Sequence, residues 1–191
     1  MSFRRFAAIL LAMLSLSLSA LALHDNAPVV NDDFVQKEFG ENCKMVGMPS
    51  IQADLNGDGV PDIVIPARCS NPLMDQAEHN YQVVDPYDGF FGYGNPRITT
   101  QFASEDPERR GFSLLIIHGA GDDGWYSDAP KAKFMIVNLP FKDIHVKVLD
   151  KKKKKERVGI YVNETGGEGL ASVVFWDGRK YRYTPMGSDM E

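Results

Sequence analysis

Twelve residues, Asp54-Leu-Asn-Gly-Asp-Gly-Val-Pro-Asp-Ile-Val-Ile65, constrain the fold of this chain more than any others. They set side-chain oxygens of Asp54, Asn56, Asp58 and Asp62 at loop positions 1, 3, 5 and 9, with Gly59 at position 6. That spacing suits a loop wrapping a hard cation, which takes six to eight oxygen ligands. A helical calcium hand ends on a bidentate Glu at position 12, where this chain has Ile65. The flanks are not helical either. Ile63-Val-Ile65 is β-branched and runs into Pro66, while Ser50-Ile-Gln-Ala53 alternates polar and apolar residues. The expected unit is strand, loop, strand. Asp54, Asn56, Asp58 and Asp62, with the Val60 carbonyl, would give Ca2+ about five ligands, and water would complete the shell. The same residues also suit an acidic, glycine-rich hairpin turn without a metal.

In this spacing the loop resembles the calcium loop of FG-GAP repeats, also called VCBS repeats. The resemblance covers roughly residues 48–67. It implies that the loop bridges two adjacent antiparallel strands and that the cation organises the turn. In that family such hairpins build the blades of a β-propeller, which needs at least about four blades. No second Asp-x-Asn-x-Asp-Gly occurs in the chain, and Gly121-Asp-Asp-Gly124 and Asp177-Gly178 lack the ligand spacing. One calcium-stapled hairpin is therefore expected, not a propeller.

The two cysteines, Cys43 and Cys69, flank the hairpin. With Asp54 opposite Asp62, the antiparallel register sets Cys69 across from residue 47, a few positions from Cys43. Slack at Gly47 and Pro49 lets a disulfide close. Such a bridge is at home in an oxidising compartment.

Residues 1–22 supply that compartment, because they read as a secretory signal peptide. Arg4 and Arg5 form the positive region, Phe6 to Leu23 is apolar apart from serines, and Ala20-Leu-Ala22 is a small-x-small cleavage site. The expectation is a periplasmic or secreted protein with no stable membrane span after cleavage. Losing Arg4 and Arg5 takes the formal charge from −5 to −7. That argues against a nucleic-acid partner, since phosphate binding needs a basic surface. The remaining residues, 23–191, are expected to form a single domain.

Along that domain, Asn31 to Gly40 reads as a short helix, with Asn31 as cap, Val30 and Val35 as a staple and Gly40 as the stop. Met74 to Tyr81 allows a turn or two of helix. Up to Gly111 the chain is otherwise expected to be irregular, broken by glycines and by Asp85-Pro, Asn95-Pro and Asp106-Pro. The second half is strand-rich: 113–118, 133–138, 144–149, 158–162 and 171–176, with Asp177-Gly178 turning into 180–183. The expected fold is mainly β, a β-rich α+β domain: an antiparallel sheet, the calcium-loop hairpin and one or two short peripheral helices.

Other features weigh less. Gly119-Ala-Gly-Asp-Asp-Gly124 matches G-x-G-x-x-G, but Asp122 and Asp123 repel phosphate and no helix signal follows, so a turn is expected. His118-Gly-Ala-Gly lacks the partner G-x-S-x-G of an esterase. His79, His118 and His145 are isolated in sequence and read as ordinary histidines. Tyr81, Tyr87, Phe90, Phe91, Tyr93 and Phe102 suit either a loop-borne core or a surface that stacks on sugars or grips a protein. Lys151 to Lys155 reads as a solvated hairpin tip, and Asn163-Glu-Thr165 is a formal glycosylation sequon.

The functional expectation is an exported, non-catalytic calcium-binding domain with structural calcium and a binding or cell-envelope role, its partner an unknown protein or glycan. One alternative is a hydrolase of an extracellular polymer using His118, Asp122 and Asp123. Another is an adhesion or carbohydrate-binding module using the aromatic loop 81–102.

Overall fold

A computed structural model describes residues 27–91, 110–129, 132–152, 155–165 and 170–187. The expected signal peptide lies outside the described residues, as do Tyr93, Phe102, Lys153 and Lys154. The described chain is mainly β, with two sheets and a few short helices.

Helix α1, Asp32–Phe39, forms where expected: Asn31 Oδ1 accepts from the Phe34 N–H at 2.9 Å, and Gly40 ends it. Strands β1 (Cys43–Met45) and β2 (Ile51–Ala53) both pair antiparallel with β3 (Asp62–Cys69). After α2 (Gln76–His79) come β4 (Tyr81–Val84) and α3 (Pro86–Phe91). Strands β5 (Phe112–Ile117) and β6 (Lys133–Val137) complete the first sheet, ordered β1-β3-β5-β6-β4 with β2 also on β3. The second sheet is an antiparallel meander of β7 (Phe141–Lys152), β8 (Lys155–Glu164), β9 (Ala171–Trp176) and β10 (Tyr181–Gly187).

One expectation needs correction. The first sheet is not wholly antiparallel, because β4 runs parallel to β6. Strand β4 falls in a stretch expected to be irregular. Its four residues, between Asn80 in a left-handed conformation and Asp85-Pro, are too few for a sequence pattern. The few short helices agree with the expected fold, three of them α-helical among the described residues.

The first sheet is the middle layer. Along β3, β5 and β6 successive side chains enter different cores. Ile63, Ile65, Leu115, Ile117 and Met135 pack with Val35 and Phe39 of α1. Val64, Leu114, Ile116, Phe134 and Ile136 pack with Ile144, Ile160, Val162, Val174 and Tyr181 of the second sheet. Burial on both faces is why these strands read as continuous apolar runs rather than alternations.

The register along β3 is not uniform. Ala53 faces Asp62 at one end, and Cys43 faces Cys69 at the other. A slip of three residues between β2 and β1 therefore replaces the single register expected from Asp54 and Asp62. It brings Cys43 directly opposite Cys69, and the disulfide is formed. The break falls opposite Pro66. Its carbonyl accepts from the Val46 N–H, so the missing N–H of Pro66 points to the same side, where the edge is interrupted.

Candidate metal centre

The acidic loop joins β2 to β3 and winds around its own carboxylates. Asp54 Oδ1 accepts from the N–H groups of Gly57 at 2.7 Å and Asp58 at 3.2 Å, and its Oδ2 from Gly59 at 2.8 Å. Asn56 Oδ1 accepts from the Asp58 N–H at 2.9 Å, and Asp58 Oδ1 from the Val60 N–H at 2.8 Å. Asn56 Nδ2 also donates to Asp58 Oδ2 at 2.9 Å. Gly59 holds a φ of +87°, which a residue with a Cβ resists.

Asp62 is different: it is fully buried. Its Oδ2 accepts from the Leu55 N–H and its Oδ1 from the Gly119 N–H, both at 2.7 Å. Burial pushes its carboxyl up to about 6; the two N–H donors pull it back, and the charges of Asp58 and Asp54 push it further up. Buried charges are usually paired with an opposite charge or a metal. None of the ion pairs among the described residues includes Asp62.

The turn 119–124 buttresses this loop. The Ala120 N–H donates to the Gly124 carbonyl at 3.0 Å, and a single 3-10 turn, Gly124–Tyr126, follows. Its glycines are needed for approach. A Cβ on Gly119 would run into the Pro61 carbonyl oxygen and lie 2.8 Å from Val60 Cγ1, and one on Gly124 would lie 2.9 Å from that same oxygen. The G-x-G-x-x-G spacing thus serves packing between two loops.

His118 follows directly after β5 with its side chain inward. Nε2 lies 2.7 Å from the Tyr181 hydroxyl, and the ring stands 4.9 Å from Phe134 and 5.0 Å from Trp176. Burial takes the imidazole down to about 4, against the upward pull of Asp58 and Asp54. Burial also holds the Tyr181 hydroxyl well above its ordinary value, and the Asp62 charge adds to it. Asp122 and Asp123 are exposed on the turn. The structure therefore turns His118 away from the two acids with which the hydrolase alternative groups it. Period-two alternation held the missing signal: Leu114, Ile116 and His118 share one face of β5.

The aromatic tract divides. Tyr81 is a core residue whose hydroxyl donates to the Pro72 carbonyl at 2.8 Å; burial, with the Asp75 charge, lifts it to about 12. Phe90 is half-exposed and meets Tyr183 edge-on at 5.6 Å. His145 stacks on Tyr161 at 5.5 Å, and His79 Nδ1 lies 3.0 Å from the Lys37 carbonyl.

Among the described residues no three His, Cys, Asp or Glu side chains converge closely enough to hold an ion as they stand. The donor set is nonetheless of the right chemistry: all oxygen, with carboxylates at three positions. Each carboxylate offers about four lone-pair directions, more than the hydrogen bonds seen here occupy. No helix among the described residues is long and apolar enough to cross a membrane. No family model matches the chain, and no curated protein or solved structure matches it.

Proposed function

We propose that the chain is an exported, non-catalytic domain in which Ca2+ fastens the β2–β3 loop and a different surface makes the functional contacts. One observation carries the reading: Asp62 is a fully buried carboxylate without a cationic partner among the described residues, and Asp54 and Asp58 share its loop. A divalent cation supplies the missing positive charge. Asp54, Asn56, Asp58, Asp62 and the Val60 carbonyl would hold it. The disulfide Cys43–Cys69 is compatible with an exported compartment.

Extracellular calcium modules bind at about 10⁻⁴–10⁻³ M, so the ion acts as a fastening and not as a sensor. At about 10 mM calcium, such affinities stabilise the fold by roughly 1.4–2.7 kcal/mol. The test is thermal unfolding of the wild type and Asp58→Ala in calcium and in chelator. The variant should melt lower only in calcium. Equal loss in chelator would falsify the structural-calcium reading.

A further inference from the structure

At the other end of β3 from the acidic loop lies a groove of about 1050 Å³. Its floor is apolar: Met45, Val46 and Met48 from the β1 side, Phe112 at the start of β5, and Phe141 at the start of β7. Phe112 and Phe141 meet edge-on at 4.8 Å, so the floor is a packed surface. Among the described residues, Lys44, Arg68, Arg110 and Lys142 also line it, with Glu41 the one acid among them, in a chain whose formal charge is −5. The Arg68 guanidinium is held in place, 4.1 Å over the Phe112 ring, with Nη1 donating to the Arg110 carbonyl at 2.8 Å.

We propose that this groove binds a free amphipathic anion, a single long-chain carboxylate. Three observations select that class. Pockets of roughly 300–1,000 Å³ with apolar walls and a few fixed polar groups are the usual form of small-ligand sites. The exposed lysines Lys44 and Lys142 oppose the sign of the whole chain, and complementary charge selects an anionic head. Two methionines on the floor conform to a flexible chain better than branched residues do. A peptide added as a further strand is disfavoured, because the β1 edge is already engaged: the Met45 N–H donates to Asp32 Oδ1 at 2.8 Å.

The test is a displacement titration on the intact, disulfide-bonded protein. Dansyl-undecanoic acid is the fluorescent probe; palmitate, hexadecanol, an acidic apolar peptide and phosphatidylglycerol vesicles are the competitors. The expected result is saturable probe binding, displaced by palmitate but not by hexadecanol. Lys44→Glu combined with Lys142→Glu, both exposed positions, should weaken it by roughly tenfold at an unchanged melting temperature. Met48→Trp, which fills the groove, should weaken it without altering charge. Failure of the probe to bind overturns the proposal, as does equal displacement by hexadecanol or indifference to the charge reversals. Displacement by the peptide or the vesicles, but not by palmitate, reassigns the groove to those partners and also overturns it.

Discussion

Gly119 donates its backbone N–H to Asp62 Oδ1 at 2.7 Å, joining two loops that lie 57 residues apart in sequence. The bond depends on glycine, because a side chain at 119 would occupy the space of the Pro61 carbonyl. Gly119→Ala should therefore cost about 1–3 kcal/mol, in calcium and in chelator alike. Urea denaturation measures it, and an unchanged midpoint refutes the packing account.

Asp54 and Asp58 should separate in chelator. Asp54 accepts from three backbone N–H groups, so Asp54→Ala should lose about 1–2 kcal/mol even without metal. Asp58 is exposed and accepts from one backbone N–H, while its charge disfavours ionised Asp62. Asp58→Ala should stay within about 0.5 kcal/mol of the wild type in chelator. Equal losses, read by thermal unfolding in EDTA, would contradict this division of roles.

His118 ties stability to pH. Its folded value of about 4 lies below the ordinary 6.5, so between these limits the unfolded chain binds more protons. Stability from this group is complete above pH 6.5 and is lost as the pH falls towards 4. The full swing is on the order of 3 kcal/mol. His118→Gln, able to keep a bond to Tyr181, removes the titration. The stability gap between wild type and variant should shrink by that amount on acidification from 6.5 to 4. A constant gap across guanidinium titrations at several pH values would rule it out.

The disulfide and the acidic loop hold opposite ends of β3, about 25 Å apart for an eight-residue strand. Closing the 26-residue separation between Cys43 and Cys69 is worth roughly 3–4 kcal/mol in the chain-entropy description. Replacing both cysteines by alanine and Asp58 by alanine should give losses that add within about 0.5 kcal/mol in calcium. A clear departure from additivity in a double-mutant cycle would show that the two ends are coupled.

Local chemistry made part of this molecule legible in advance. Asn31 and Gly40 mark the ends of α1, and the Asp177-Gly178 turn joins β9 to β10, because each signal is satisfied within a few residues. Cys43 and Cys69 could be paired because they flank one hairpin. What was not legible depends on distant partners. Strand β4 has only four residues and gains its place from β6, some fifty positions later. Gly119 to Gly124 reads as a turn, but the packing against Pro61 that requires its glycines depends on a loop some sixty residues earlier. His118 reads as an ordinary histidine, and only the hydrolase alternative joins it to Asp122 and Asp123; its partner through the fold is Tyr181. The loop residues Asp54, Asn56, Asp58 and Asp62 do fall on one turn, but the burial of Asp62 comes from the second loop closing over it.

The interruption opposite Pro66 bears on how this protein behaves in a crowded solution. An unbroken outer strand across residues 43–53 would offer neighbouring copies a long ladder to extend, the seed of fibrillar aggregation. Instead β1 and β2 are three residues each and offset by the slip between them. A straight strand from another molecule can match one segment or the other, but not both in register. The irregularity that aligns the cysteines thereby also keeps the sheet from recruiting its own kind.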